Sequence, residues 1–242
     1  CDLSAKGLDD IKSLIGDLRR GNLQGLNVTI PYKQTVIPFV DRLTGIARAV
    51  GAVNTLYVDK AGGLIGDNTD VPGFMRDVQR LVGDRVGQVI VLGAGGSARA
   101  VVYGLARSGW EVKVLARREV QAVALRQEII QSIGSVARIE AGVLSAEVLQ
   151  RAECDLIINT TPLGMYPNLE TCPWPECAPF PPNSAVYDLV YNPSETVLVK
   201  KAREAHLPAM NGAGMLAAQA ALSFQLWTGI TPPIDEMQKV LR

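Results

Sequence analysis

A single histidine, His206, occurs in the 242 residues. A metal site built from several imidazoles is therefore excluded, and a Ser-His-Asp triad would have to run through that one ring. Cysteine is scarce as well. Four residues, at positions 1, 154, 172 and 177, are too few to frame a chain of this length with disulfides. Cys172 and Cys177 lack a second pair to complete a tetrahedral metal site. All four read as free thiols in a reducing compartment, with the cytoplasm as the expected location. Net charge is also missing: 24 Lys and Arg balance 24 Asp and Glu, at a pI near 6.8. That removes the electrostatic footprint of a nucleic-acid binder or of a protein held on acidic membranes. The best apolar run, 213–227, is broken by Gln219 and Gln225 and is shorter than the ~20 residues that cross a bilayer. The first residues carry no apolar signal core. They begin with Cys1 rather than Met, so a chain lacking its natural start is expected in preference to an acylated lipoprotein.

What is present is an ordinary globular composition, 48% hydrophobic and 20% charged, enough for one large domain or two modest ones. Leu8 to Arg20 reads as an amphipathic helix, and the β-branched run Gly25 to Ile30 as a strand stopped by Pro31. A helix is predicted over 33–50, a strand over 54–59, a tight turn at Gly62-Gly63, a loop over 67–70 and a helix over 72–81. Beyond Gln88 the texture changes. Val89 to Leu92 is a continuous apolar run, as in a strand buried on both faces. A glycine turn, a helix to Ser108 and a strand over 111–115 complete a βαβ unit. Further strands at 155–159 and 185–190, with helices around 119–131 and 195–205, predict a doubly wound parallel sheet over about 85–210. The last thirty residues read as helical apart from Pro232-Pro233.

Gly93, Gly95 and Ala98 fit G-x-G-x-x-A between a buried strand and a helix, the context a dinucleotide site demands. Two glycines let the chain turn and a pyrophosphate approach, and the phosphates sit at the helix N-terminus. A plain glycine turn is the alternative. An NAD site places an acid about twenty residues further on. Here the second strand runs into Ala116-Arg117-Arg118, and two guanidinium groups suit a 2′-phosphate. NADP is thus the expected cofactor, unless these are merely solvated surface arginines.

With one histidine, an alcohol-oxidising enzyme must find its base elsewhere. Lys33 follows a strand-Pro turn, and a lysine with a carboxylate partner can move a proton. Spacing does not by itself pair Lys33 with Asp70, and a lone lysine is more often a surface group.

Six blocks nevertheless occur together: Asn27-Val-Thr-Ile-Pro-Tyr-Lys33, Gly51-Ala-Val-Asn-Thr55, Asp67-Asn-Thr-Asp70, Gly93-Ala-Gly-Gly-Ser97, Asn159-Thr-Thr161 and Asn211 to Gln219. In this order, over almost the whole chain, they resemble the shikimate dehydrogenase family. The resemblance implies reversible NADPH-dependent reduction of 3-dehydroshikimate to shikimate, in aromatic amino-acid biosynthesis. It implies an α/β fold of two domains, a Rossmann-type doubly wound cofactor domain over 70–211 and a smaller α/β substrate domain from 1–69 plus 212–242. Lys33 and Asp70 match the catalytic pair, Asn54 and Gln219 the ligands of substrate hydroxyls, and Thr29 and Tyr191 contacts to the carboxylate. Gly93, Ala94, Gly95 and Gly96 match the pyrophosphate loop, Arg117 and Arg118 the adenosine-phosphate site, and Thr160, Gly212 and Met215 further cofactor positions. The partner implied is a small molecule, with neither nucleic acid nor membrane, and a homodimer is left open.

The chain also departs from the family. No Ser-x-Ser carboxylate motif precedes Cys1, so a gapped or incomplete sheet is expected in the substrate domain. The family's Asn-Arg-Thr reads Ala116-Arg117-Arg118 here, with Gln121 where another arginine stands, and Asn211 and Ala213 vary a glycine-rich loop. Two alternatives stay open: an NAD-using quinate/shikimate dehydrogenase, and a catalytically silent dinucleotide-binding regulator.

Overall fold

Residues 7–134 and 137–240 are described by the structure, a computed structural model. Cys1, and with it the expectation about the start of the chain, lies outside them.

The first helix, α1 (Leu8–Arg19), carries Asp9 and Asp10 in its first turn and Arg19 in its last, charges that suit the helix dipole. Ile11, Ile15 and Leu18 recur at helical spacing and bury with Val36, Leu56 and Leu64. Each such side chain contributes about 1.5–3 kcal/mol when fully buried. Four strands follow: β1 (Gly25–Asn27), β2 (Arg42–Leu43), β3 (Thr55–Val58) and β4 (Leu64–Asp67). They form one sheet in the order β1-β3-β4-β2, antiparallel except for the β2–β4 pair. The β3–β4 turn closes because Asp59 Oδ1 accepts the backbone N–H groups of Ala61 and Gly63, each at 2.9 Å. The sheet runs without a gap from β1 to β2. Beyond β1 no further strand pairs with it among the described residues.

Two sequence-based expectations are corrected here. The helix predicted over 33–50 is instead a series of turns, a 3₁₀ turn at Ile37–Phe39, β2 and a short helix, α2 (Gly45–Val50). Pro38 has no N–H for a helical ladder. Thr44 then starts a new helix by accepting the Ala47 N–H at 3.2 Å, and Gly51, at φ 67°, ends it. The strand predicted over 25–30 stops at Asn27, and a turn closed by the Tyr32 N–H on the Thr29 carbonyl takes over.

After α3 (Asp70–Val82) the chain builds the larger sheet. In order come β5 (Gln88–Leu92), α4 (Gly96–Arg107), β6 (Glu111–Ala116), α5 (Glu119–Ile133), β7 (Ile139–Val143), α6 (Ala146–Gln150), β8 (Leu156–Asn159), β9 (Ala185–Asp188), α7 (Val197–Glu204) and β10 (Ala209–Asn211). The strands are all parallel, in the order β10-β9-β8-β5-β6-β7. The order reverses between β5 and β8, the switch point at which such sheets bind dinucleotides. Val89 and Val91 enter one core with Phe74, Val101, Leu105 and Leu125. Ile90 and Leu92, pointing the other way, enter a second with Trp174 and Leu198. A sheet covered on both faces explains why its central strands read as unbroken apolar runs.

Two helices join the sheets. α3 buries Phe74, Val78 and Val82 in the core of the larger sheet. α8 (Ala213–Thr228) places Met215 in that core, while its Trp227 Nε1 donates to the Leu56 carbonyl of β3 at 3.2 Å. The two helices touch at Gly73, where a Cβ would lie 2.9 Å from the Gln219 backbone nitrogen. A last short helix, α9 (Ile234–Lys239), packs on α8.

Candidate active site

Lys33 leaves the turn after β1 with its backbone fixed, since its carbonyl accepts the Val53 N–H at 2.7 Å. Its side chain is buried, and Nζ donates to Asp70 Oδ2 at 2.7 Å. Asp70, also buried, is the first residue of α3. The structure thus joins two residues 37 positions apart that spacing alone does not pair. Asn54 sits where β3 begins. Its Oδ1 accepts the Thr69 N–H at 2.7 Å, and its Nδ2 lies 2.9 Å from Asp70 Oδ1, 2.9 Å from Thr69 Oγ1 and 3.3 Å from Gln219 Oε1. Two amide hydrogens serve three acceptors, so one of them is available to a further partner. Behind this layer, the hydroxyls of Thr55, Thr69 and Ser223 bond one another at 2.8–3.2 Å. Lys33, Asp70, Asn54 and Gln219 form one polar cluster. Thr29 and Tyr191 are exposed, and no hydrogen bond ties their side chains to it.

Next to the cluster lies the glycine turn. Gly93 has φ 108°, and a Cβ there would stand 2.6 Å from Thr160 Oγ1, so this position requires glycine. Gly95 is the N-cap of α4, with no side-chain cap, and a Cβ on it would meet nothing within 4 Å. No side chain caps α4 and open space lies beside Gly95, a helix start that suits the diphosphate of a dinucleotide. Ala94 packs against the larger core. Gly96 faces Lys33: a Cβ there would lie 3.4 Å from the Lys33 Cβ. Arg117 and Arg118 are exposed just past the end of β6, and neither is ion-paired among the described residues. Thr160 uses its hydroxyl internally, donating to the Leu92 carbonyl at 2.7 Å and tying β8 to β5. Gly212 caps α8, and any Cβ on it would collide with the Leu189 carbonyl. Met215 is buried one turn later.

Two buried carboxylates lie outside the sequence-based candidates. Asp188, at the end of β9, accepts from Asn159 Nδ2 at 2.8 Å, Val190 N at 3.0 Å and Thr196 Oγ1 at 2.6 Å. Burial pushes its pKa up to about 6, outweighing the three donors that favour the anion. It holds together the loops after β8 and β9. Asp77, on α3, accepts the Tyr187 hydroxyl at 2.7 Å and presses on Gly214 of α8, where a Cβ would run into its carboxylate. An acid in the middle of the otherwise apolar run 185–190 is a visible signal for Asp188. Asp77 leaves none, because it sits on an amphipathic helix among other charges.

Among the described residues no group of three or more His, Cys, Asp or Glu is placed to hold a metal ion, and no helix is long and apolar enough to cross a membrane.

Residues 3–56 match the profile of the shikimate dehydrogenase substrate binding domain, and residues 212–242 that of the shikimate 5'-dehydrogenase C-terminal domain. The shikimate dehydrogenase (NADP(+)) of Carboxydothermus hydrogenoformans is 37% identical over 234 residues, covering 96% of this chain and 82% of that one. The chain belongs to the shikimate dehydrogenase family. Its fold follows the family's: shikimate 5-dehydrogenase from Thermus thermophilus, solved with NADP(H) and shikimate, superposes with a TM-score of 0.84 at 33% identity, over 98% of this chain and 85% of that one. Quinate dehydrogenase from Corynebacterium glutamicum, solved with NAD, superposes with a TM-score of 0.85 at 32% identity, over 99% of this chain and 83% of that one.

Proposed function

We propose that this chain reduces 3-dehydroshikimate to shikimate reversibly with NADPH, as a cytoplasmic step of aromatic amino-acid biosynthesis. The observation that carries the reading is the buried Lys33–Asp70 pair, closed at 2.7 Å beside the open turn of α4. When bound, NADP exchanges the hydride. The chain's own residues handle the proton and the substrate. Reduction of a ketone needs a proton at the carbonyl oxygen, and Lys33 Nζ delivers it, then takes it back in the oxidation direction. Asp70 Oδ2 holds the lysine head, while Oδ1, Asn54 Nδ2 and Gln219 Oε1 orient substrate hydroxyls. Thr29 and Tyr191 serve the carboxylate.

Gly93 to Gly96 cradle the diphosphate, Arg117 and Arg118 take the 2′-phosphate, and Gly212 and Met215 flank the nicotinamide side, with Thr160 holding the floor of the turn. In this reading residues 1–69 and 212–242 form the substrate domain and 70–211 the cofactor domain, their boundary crossed by the contact of α3 with α8.

The test is direct. The purified chain should reduce NADP when given shikimate, and much faster than it reduces NAD. Cofactor binding without turnover of shikimate would instead support a silent regulator. A second reading, NAD-dependent oxidation of quinate, draws on the likeness to the quinate dehydrogenase. Arg117 and Arg118 count against it, and the same assay with quinate and NAD separates the two.

A further inference from the structure

Arg99 lies one turn into α4, in an otherwise apolar stretch, and is 6% exposed. A buried guanidinium needs partners for its fixed fork of donors. Here they come from two directions. Nε donates to the Val50 carbonyl, the last of α2, at 2.7 Å, and Nη2 pairs with Glu128 on α5. Nη2 also fills the space over Gly51, where a Cβ would stand 2.6 Å away. Beneath the fork, Val50 and Ala52 pack with Ala100 and Val71. The charge sits at the C-terminal end of α2, the end whose free carbonyls favour a cation.

The segment held this way leads straight into the proposed active site. After Gly51, the Ala52 carbonyl accepts Asn68 Nδ2 at 2.9 Å, the Val53 N–H fixes the Lys33 carbonyl at 2.7 Å, and Asn54 follows. The opposite end of the same turn of α4 meets the Lys33 side chain, with Ser97 Oγ 3.4 Å from Nζ. Helix α4 is thus both the cradle for the diphosphate and the bracket for the segment that sets Lys33 and Asn54. We propose that Arg99 is a positioning residue: it fixes the α2–β3 segment to α4 and so sets the place of Lys33 relative to the bound cofactor. The proposal rests on the function given above, and the experiment keeps the two apart.

The experiment compares Arg99→Met, Arg99→Lys and Glu128→Gln with the unaltered chain, with sites counted by NADP titration so that kcat is expressed per binding site. Misplacement by about 1 Å costs up to ~10²-fold in rate, so Arg99→Met should lose about 10–100-fold in kcat per site, with NADP affinity within about twofold. Arg99→Lys, which keeps a cation but cannot bridge both partners, should recover part of the loss. Glu128→Gln should show a smaller loss in the same direction. A purely structural role would lower the number of sites and leave kcat per site unchanged, and that result overturns the proposal. If Arg99→Met does not fold, normal kcat per site in both Arg99→Lys and Glu128→Gln overturns it equally. Lys33→Ala is the control for the underlying reading. If that variant turns over normally, the proposed function fails. If it is inactive while the Arg99 variants are normal, only the role of Arg99 fails.

Discussion

Asn54 donates to Asp70 Oδ1 at 2.9 Å, while the other oxygen of the same carboxylate is taken by Lys33. The aspartate is thereby held from both sides, and its orientation toward the lysine does not depend on substrate. This arrangement makes the roles of the pair separable by mutation.

Lys33→Ala should remove ~10²–10⁴-fold of kcat for shikimate oxidation and leave NADP affinity nearly unchanged, because positioned acid–base catalysis acts in the transition state. Asp70→Asn should also slow turnover, with a larger share in KM, since the proposed mechanism has Asp70 bond a substrate hydroxyl as well. Steady-state rates and NADP titration on both variants check this. A Lys33→Ala enzyme with unaltered kcat would remove the proton-transfer role.

Replacing Arg117 and Arg118 together by Ala should weaken NADP binding far more than NAD binding. Hydrogen bonds to charged groups contribute about 1.5–3 kcal/mol each, with exposure and non-additivity lowering any sum. Direct titration with the two cofactors measures the ratio. Equal losses would mean that the arginines do not read the 2′-phosphate.

Two glycine substitutions should act in opposite directions. Alanine in place of glycine within a helix ordinarily stabilises by roughly 0.5–1 kcal/mol. Gly16→Ala in α1 should follow that rule, because its Cβ meets only the flexible end of Arg20. Gly214→Ala in α8 should reverse it, since the added methyl collides with the buried Asp77 carboxylate, itself bonded to Tyr187. Overpacking of this kind costs about 1–3 kcal/mol. Thermal melts of the two variants should move apart, and a stabilised Gly214→Ala would contradict the packing described.

Asp188 predicts a pH signature. Its folded pKa, about 6, lies above the ordinary aspartate value of 3.8, so the folded state binds its proton more tightly than the unfolded state. Its contribution is therefore fully present below pH ~4 and is lost as pH rises through ~6, by ~3 kcal/mol at most. Asp188→Asn cannot ionise. Its Tm relative to the unaltered protein should accordingly rise between about pH 4 and 7, then level off. A difference that stays constant over that range would show that Asp188 does not titrate there.

The larger sheet is legible in the sequence because its central strands are buried on both faces, so Val89 to Leu92 and 155–159 announce themselves as apolar runs. The smaller sheet is legible only in part, since β1 and β3 are read as strands while β2 and β4 are not. β4 reads Leu-Ile-Gly-Asp, too short for a period, and Gly66 is required there because Val53 and Leu43 crowd the space a Cβ would take, at 2.9–3.0 Å. The stretch 33–50 misleads because its apolar residues fall at helical spacing, yet Pro38 and the Thr44 cap divide it. In the site, Lys33, Asp70, Asn54 and Gln219 are visible through their blocks, but their meeting depends on the α3–α8 crossing, which no local pattern records. Thr160 is the converse case: its motif marks a cofactor position, whereas its hydroxyl is already committed to Leu92. Arg99 escapes a reading of the sequence because a lone arginine after Ala98 passes for a solvated side chain until its burial is known.

Lys33 arrives from the smaller sheet, whereas Asp70 opens a helix rooted in the core of the larger one. The pair proposed to transfer the proton is therefore a seam between the two halves. Separating the two halves would part Lys33 from Asp70, and so take the proposed proton donor away from the glycine turn before α4. Under the proposed mechanism, turnover therefore serves as a gauge of the joined state of the two halves.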